Sequence, residues 1–178
     1  MPRIAAAAQL APGTLYLYFP SKQALYAELL AEGYGILERR LAQSAQAQLP
    51  PERQAAALID AFFAFAREFP EYFDVIFFVL QREGSDREGS LELEQARRLK
   101  SAEDRCKAIA GQVLRRAAGA SVRKADLSVE ATWAMLAGVI FFFRTMPDFE
   151  AVADQAKRLV LSAIVGGTRD SAPSRGSP

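Results

Sequence analysis

The sequence contains no histidine, and Cys106 is its single cysteine. Without histidine the chain cannot build a Ser-His-Asp or Cys-His catalytic site, nor the usual histidine zinc site. One cysteine cannot form an intrachain disulfide, and a free cysteine in a helical segment favours a small buried core side chain. The alternative is a redox-sensing thiol, for which the sequence offers no second cysteine. Because a phosphate-binding glycine loop is also missing, an enzyme is disfavoured.

Long apolar runs and an excess of one charge are missing too. The longest apolar run spans residues 133–143 and ends at Arg144, whereas a membrane helix needs about 20 residues. No signal peptide is visible, and we expect a cytoplasmic protein with no membrane partner. The net charge is only +1, so any surface that binds nucleic acid must be local.

Apolar residues recur at helical spacing along the chain, and alternating strand patterns are nearly absent. We therefore predict an all-α protein. The predicted helices cover residues 3–9, 12–19, 21–47, 52–69, 71–82, 90–118, 127–145 and 149–165. Pro12 suits the first position of the second helix, and Ser21 is a good N-cap for the third.

Glycines and polar stretches mark the breaks in this pattern. Gly33 and Gly35 each weaken the third helix by up to about 1 kcal/mol, and they predict a bend or a close contact between helices. Gly111 predicts a break in helix 90–118. Residues 84–89 read as a polar loop, and residues 168–178 as a disordered tail rich in serine, proline and glycine.

The first two predicted helices and the tight turn between them have the layout of a helix-turn-helix. This segment carries an ordered, gap-free series of residues: Ile4-Ala5, Ala8, Leu10-Ala11-Pro12-Gly13-Thr14-Leu15-Tyr16-Leu17-Tyr18-Phe19-Pro20-Ser21-Lys22, and Leu25. The series resembles the N-terminal pattern of the TetR/AcrR family of transcriptional regulators. The resemblance covers about the first 45 residues, and the remainder is similar only in helical layout and length.

The resemblance implies operator DNA as a partner and assigns the residues that contact it. The DNA-contacting set is Thr14, Tyr16, Tyr18 and Lys22, with Pro12, Gly13 and Leu17 near the bases. Hydroxyl and ammonium groups of this kind donate to phosphates, and Thr14 could also touch a thymine methyl group. Leu15 and Phe19, four residues apart, should pack into the small head. The alternative for Tyr16 and Tyr18 is a core aromatic cluster.

The segment also departs from the family pattern. Gln9 and Ala11 stand where the family has glycine and serine. Loss of the serine removes the side-chain cap of the second helix, which costs about 1 kcal/mol. In the family a whole first helix and most of the second precede the position of Ile4, against three residues here. We therefore expect a destabilised head that binds DNA weakly.

Residues 52–82 are rich in aromatic and large aliphatic side chains, and family resemblance places an effector pocket in this region. The predicted lining is Phe62, Phe65, Phe69, Phe73, Phe77 and Trp133. An aromatic lining indicates a small apolar or aromatic effector. The alternative is that these rings pack as an ordinary core.

The last two long helices carry apolar stripes with small residues that permit close approach. By resemblance they form a four-helix bundle with a second copy of the chain. The predicted interface is Trp133, Leu136, Ile140, Ala156, Leu159, Val160 and Ala163. A two-fold homodimer suits a palindromic site because it spaces two recognition helices by about 34–36 Å.

The sequence therefore predicts a truncated helix-turn-helix head with its connecting helix (residues 1–47), a helical effector-binding and dimerisation domain (48–167) and a tail (168–178). The predicted function is a ligand-responsive transcriptional regulator, a repressor, that binds a palindromic operator as a dimer without cofactor or metal. The alternative is a dimeric helical module that binds a small molecule and has weakened or lost its DNA binding.

Overall fold

The computed structural model of the protein describes residues 1–79, 93–119 and 122–166. All regular structure within these ranges is helical, which confirms the predicted all-α class. The helices are α1 Pro2–Ala7, α2 Pro12–Tyr18, α3 Lys22–Gln46, α4 Pro51–Glu68, α5 Pro70–Asp74, α6 Leu93–Ala118, α7 Val122–Phe143 and α8 Phe149–Gly166. A π-helical segment, Val75–Val79, directly follows α5.

Prolines and one serine set most helix starts. Pro12, Pro51 and Pro70 each take the first position of a helix, where a missing N–H costs nothing. The Ser21 hydroxyl oxygen accepts a hydrogen bond from the Ala24 backbone N–H at 3.0 Å. This bond satisfies one of the free amides of the first turn of α3 and confirms the predicted N-cap.

Three predicted helices differ from the structure. The helix predicted over 71–82 is wrong over residues 75–79, because the backbone changes at Val75 from α5 to the π-helical segment, and residues 80–82 lie outside the described residues. The predicted break at Gly111 is also wrong, since α6 runs unbroken through it. Helix α7 begins at Val122, five residues before the predicted start at 127. The predicted loop at 84–89 and the predicted tail at 168–178 lie outside the described residues.

Helix α3 packs against both α4 and α6, and these contacts form the centre of the molecule. Its Leu30, Leu37 and Leu41 side chains are completely buried. Each such leucine stabilises the fold by roughly 1.5–3 kcal/mol through removal of apolar surface from water. The helix that follows the head is therefore an integral part of the body.

Ion pairs line the exposed edges of α3. Glu28 lies 3.1 Å from Arg98, and Glu38 lies 3.0 Å from Arg105, both arginines being on α6. Partly exposed pairs of this kind contribute about 0–1 kcal/mol each. These contributions are smaller than those of the buried leucines, so apolar burial is the main interaction that holds α3 against α4 and α6.

A second centre is made of aromatic rings. The Phe62 ring on α4 meets the rings of Phe73, Phe77 and Trp133 edge-on, at centroid distances of 6.2, 5.7 and 5.1 Å. Such pairs are worth about 0.5–1.5 kcal/mol beyond the area that they bury. Through Phe62 the cluster joins α4 to α5, to the π-helical segment and to α7.

Cys106 on α6 is fully buried beneath α3. Its Sγ lies 3.8 Å from the Tyr34 carbonyl oxygen, which accepts a weak hydrogen bond from the thiol. Burial raises the pKa of the Cys106 thiol to about 12. The thiol therefore stays protonated and out of reach, which confirms the interpretation of Cys106 as a core residue.

No helix within the described ranges is both long enough and apolar enough to cross a bilayer.

Gly33 and Gly35 lie in the middle of α3 but in different surroundings. A Cβ atom added at Gly33 would come within 3.0 Å of Ile76 Cδ1 and 3.2 Å of Tyr72 Cβ. Among the described atoms, a Cβ at Gly35 would meet only Arg39 Nη1, at 3.5 Å. Gly33 therefore marks the predicted close helix contact, where α3 approaches α5 and the π-helical segment.

The two glycines form a matched pair of tests. Gly35→Ala should raise the free energy of unfolding by up to about 1 kcal/mol, because alanine favours the helix and its methyl group fits. Gly33→Ala should gain clearly less or lose stability, because its methyl group crowds Tyr72 and Ile76. Urea unfolding of both variants measures the difference. Equal gains would contradict the close contact at Gly33.

Candidate functional site

The head consists of α1 and α2, which pack against each other. Ala5 and Leu15 are buried between them, and Phe19 is half-buried at the end of α2. The outer side of α2 is exposed to solvent. Tyr16 is 47% exposed, Leu17 84% and Tyr18 73%. These exposures exclude the alternative in which the two tyrosines form a core.

The remaining predicted DNA contacts flank this surface. Pro12 is the first residue of α2, and Thr14 in its first turn is half-buried. Gly13 is exposed, and a Cβ atom there would meet no described atom within 4 Å. Lys22 is the first residue of α3, and its Nζ lies 4.9 Å from the centre of the Tyr26 ring. All seven predicted DNA contacts therefore lie on α2 or at the first residue of α3.

The six residues predicted to line an effector pocket are mostly packed against one another. Phe62, Phe65 and Phe73 are buried almost completely. The rings of Phe65 and Phe69 are stacked at a centroid distance of 6.0 Å. For Phe62, Phe65 and Phe73 the core alternative describes the structure better than a pocket lining, whereas Phe69 is half-buried and lines a separate surface pocket beside Arg39 and Arg40.

A cavity of about 490 Å³ lies beside this cluster, bounded by α3, the π-helical segment, α6 and α7. Of the six predicted residues, Phe77 and Trp133 line it. Its full lining is Tyr34, Ile76, Phe77, Glu103, Lys107, Glu130, Trp133, Ala134, Ala137, Gly138 and Phe141. The cavity thus has an apolar wall and a charged edge.

Lys107 is the centre of the charged edge. Its Nζ donates to Glu103 Oε1 at 2.6 Å on the same helix and to Glu130 Oε2 at 2.9 Å on α7. Burial lowers the pKa of the Lys107 ammonium, but the hydrogen bonds to the two carboxylates outweigh burial and raise the pKa above its usual value. Burial, assisted by Glu103, also raises the pKa of the Tyr34 phenol. Lys107 is therefore charged and Tyr34 neutral at any physiological pH.

The predicted dimer residues fall into two groups. Leu136, Ile140, Ala156 and Val160 are buried within the chain's own core. Trp133 is half-buried against Phe62 and Phe77. The side chains of Leu159, which is 57% exposed, and Ala163 face outward. On the neighbouring helix α7, Phe142 is also exposed.

Comparison with known proteins gives two kinds of likeness. Residues 1–29 match the family model described as bacterial regulatory proteins, tetR family. The fold is similar to a TetR family transcriptional regulator, PfmR, from Thermus thermophilus, with a TM-score of 0.74 and 23% identity over 90% of this chain and 86% of that one. The N-terminal segment of the present chain therefore matches the TetR family model, and its fold is similar to that of a TetR family regulator. No curated protein sequence matches the chain.

A second TetR-type structure shows how far the fold extends beyond sequence. It is a bacterial regulatory protein in the tetR family from Rhodococcus RHA1, with a TM-score of 0.75 at 14% identity. The likeness covers 92% of this chain and 84% of that one. The TetR-type layout therefore includes the helical body as well as the head.

Sequence reasoning missed the charged edge of the cavity in this TetR-type body. Glu103 and Lys107 are four residues apart on one helix, a spacing that predicts an ordinary surface pair. Glu130 comes from another helix, and no sequence signal connects it to the other two. The available clue was only that Glu103 and Lys107 share a face with the buried Ala110 and Leu114.

The TetR-type head has two local weaknesses in its backbone. Gln9 has a φ of 57°, in the left-handed region, which costs a residue with a side chain roughly 1–2 kcal/mol. Ala11 is the N-cap of α2 and provides no side-chain hydrogen bond. The family has glycine and serine at these two positions. Glycine adopts a left-handed φ without strain and serine caps a helix, so the family residues would remove both weaknesses.

We expect Gln9→Gly and Ala11→Ser each to stabilise the head by about 1 kcal/mol, by removing the strained conformation and by capping α2 respectively. Slower amide hydrogen exchange in residues 2–18 of the full chain measures this gain. Gln9→Ala, which keeps a Cβ atom, and Ala8→Ser, which lies outside the N-cap position, are the matched controls. Equal protection in controls and test variants would refute the assignment.

Proposed function

We propose that the chain is a ligand-responsive transcriptional regulator, a repressor, that binds a palindromic operator as a homodimer. The observation that carries the proposal is the exposed surface of α2, where Tyr16, Leu17 and Tyr18 point away from the head. A second helix of a helix-turn-helix that presents such side chains can enter the major groove. The TetR-type fold and N-terminal segment support the same function.

The proposed contacts follow from the chemistry of each side chain. The hydroxyl groups of Thr14, Tyr16 and Tyr18 donate to phosphates, and the exposed Leu17 offers an apolar contact to a thymine methyl group. Lys22 adds a charge at the start of α3. The free amides of that first turn favour a phosphate beside it.

Local charge favours this surface even though the whole chain is nearly neutral. The first acidic residue of the sequence is Glu28, and Arg3 and Lys22 precede it. The head therefore has a basic excess where phosphates would approach. Neutralising phosphates releases counterions, so binding at this surface should weaken as salt concentration rises.

The homodimer is proposed through exposed residues of α7 and α8. Leu159 and Ala163 lie four residues apart and so share one face of α8. Phe142 is exposed near the end of α7, which packs against α8. Apolar side chains on two adjacent helices suit a symmetric interface with the same helices of a second copy.

The alternative function is a dimeric module that binds a small molecule and has little DNA affinity. The left-handed Gln9, the uncapped Ala11 and the partly exposed Ile4 and Leu10 favour it, because all four weaken the support of α2. The two functions share the body and differ only in the head. Direct measurement of DNA binding separates them.

Gly13→Ala should leave the fold intact, because its new methyl group meets no described atom of the chain within 4 Å. It should nevertheless lower operator affinity, because the methyl group would lie where the backbone approaches the duplex. The operator is first selected from a random duplex library, and affinity is then measured by fluorescence anisotropy. Lys22→Ala should weaken binding across sequences and lower the slope of log affinity against log salt by about 1.

The matched control for Lys22→Ala is Lys100→Ala, since Lys100 is an exposed lysine whose partners Glu103 and Asp104 lie on the same helix, α6. We expect the control to keep both the affinity and the salt slope of the parent protein. If no sequence is selected even with Gln9→Gly and Ala11→Ser combined, the regulator is refuted in favour of the alternative.

Leu159→Glu should convert the dimer to monomer, because it places two like charges at a two-fold interface. Sedimentation velocity at micromolar concentration measures the change. Asp154→Lys is the control, because Asp154 is exposed on α8 but lies about 140° around the helix from Leu159. A parent protein that sediments as a monomer would count against the dimer, as would a dimer that Leu159→Glu leaves unchanged.

A further inference from the structure

The cavity bounded by α3, the π-helical segment, α6 and α7 has an apolar wall that suits a flat or bulky group. The Trp133 and Phe77 rings, 5.9 Å apart, form much of this wall. Ile76 and Ala137 extend it. A volume of about 490 Å³ is ample for a small molecule with one or two rings.

Charge at the edge of the cavity does not balance. Within the lining, Glu103 and Glu130 carry two negative charges and Lys107 carries one positive charge. The adjacent Lys100 lies 3.7 Å from Glu103 and forms its shorter contact, 2.5 Å, with Asp104. Adding this pair leaves the same excess of one carboxylate. Among the described residues, the edge of the cavity therefore carries an excess of one negative charge.

We propose that this cavity binds a monovalent organic cation with an apolar or aromatic body. Its ammonium group would lie between Glu130 and the aromatic wall, where the excess carboxylate and the ring faces both favour positive charge. Its apolar body would cover Trp133, Phe77 and Ile76. That the cation acts as an effector rests on the proposed function, whereas its binding does not.

An anionic ligand fits the same edge poorly. Among the described residues of the lining, the only cation is Lys107, which already donates to both Glu103 and Glu130. A ligand carboxylate would have to displace one of them and leave it facing a second negative charge. A ligand ammonium group needs no such displacement, because Glu130 is 66% exposed and can accept from both amines.

A positive charge is a property of the effector that sequence alone did not indicate. Aromatic residues alone predicted an apolar or aromatic ligand, and they still account for its body. The positive charge follows only once Glu103, Lys107 and Glu130, from two helices, are seen at one cavity.

Trp133 provides a direct measurement, because it lines the cavity and is the only tryptophan of the chain. The probes are 4-phenylbutylammonium, 4-phenylbutanol and 4-phenylbutyrate, which share one body and differ in charge. Excitation at the red edge of the tryptophan band avoids their absorbance. We expect the cation to shift or quench the emission and to bind about fivefold tighter than the alcohol, with the carboxylate weakest.

Two substitutions should move the affinity for 4-phenylbutylammonium in opposite directions. Glu130→Gln removes the excess carboxylate and should weaken it about threefold to fivefold. Lys107→Gln removes the competing ammonium group and should strengthen it by a similar factor. Glu150→Gln is the control, since Glu150 pairs with Arg67 away from the cavity and should change nothing. Thermal melts check that each variant is folded.

The outcomes separate this inference from the proposed function. Tighter binding of the alcohol or the carboxylate overturns the cation site, as does a Glu130→Gln variant that binds like the parent. The assay contains no DNA, so its result holds whether or not the head binds an operator. Binding of the cation without any effect on operator affinity would support the site and refute the ligand response.

Discussion

The buried apolar face of α3 connects the head to the rest of the molecule. Leu30, Leu37 and Leu41 lie in the core between α3, α4 and α6, while Lys22 at the start of the same helix borders the exposed surface of α2. Both proposed sites therefore share one helix, since Tyr34 of α3 also lines the cavity. A ligand that prefers one position of α3 changes DNA binding only to the extent of that preference.

Helix starts were predictable wherever a single side chain dictates the local backbone. Pro12, Ser21, Pro51 and Pro70 each act through their own geometry or hydrogen bonds, so the starts of α2 to α5 lie within one residue of their predicted positions. The π-helical segment could not be predicted in this way. Its residues read as ordinary buried helix, and the altered winding accompanies the packing of Ile76 on Gly33 in another helix.

The sites were only partly predictable for a related reason. Periodicity predicts that the Phe62 and Phe73 side chains face inward. It does not distinguish a ring that packs against another ring from a ring that lines a cavity. Residues 133–143 of helix α7 are all apolar, so their pattern could not indicate which side of the helix faces the core. This is why Leu136 and Ile140 were expected at a dimer interface and are buried within the chain.

The close approach at Gly33 also fixes how α3 can move. With Tyr72 and Ile76 seated against its backbone, the helix cannot slide along its axis without crowding them, whereas a tilt about this point keeps the contact. From Gly33 to Lys22 the helix extends about 16 Å. A tilt of about 5° around Gly33 would therefore displace the Lys22 end of the helix by about 1.4 Å, at the surface that we propose to contact DNA.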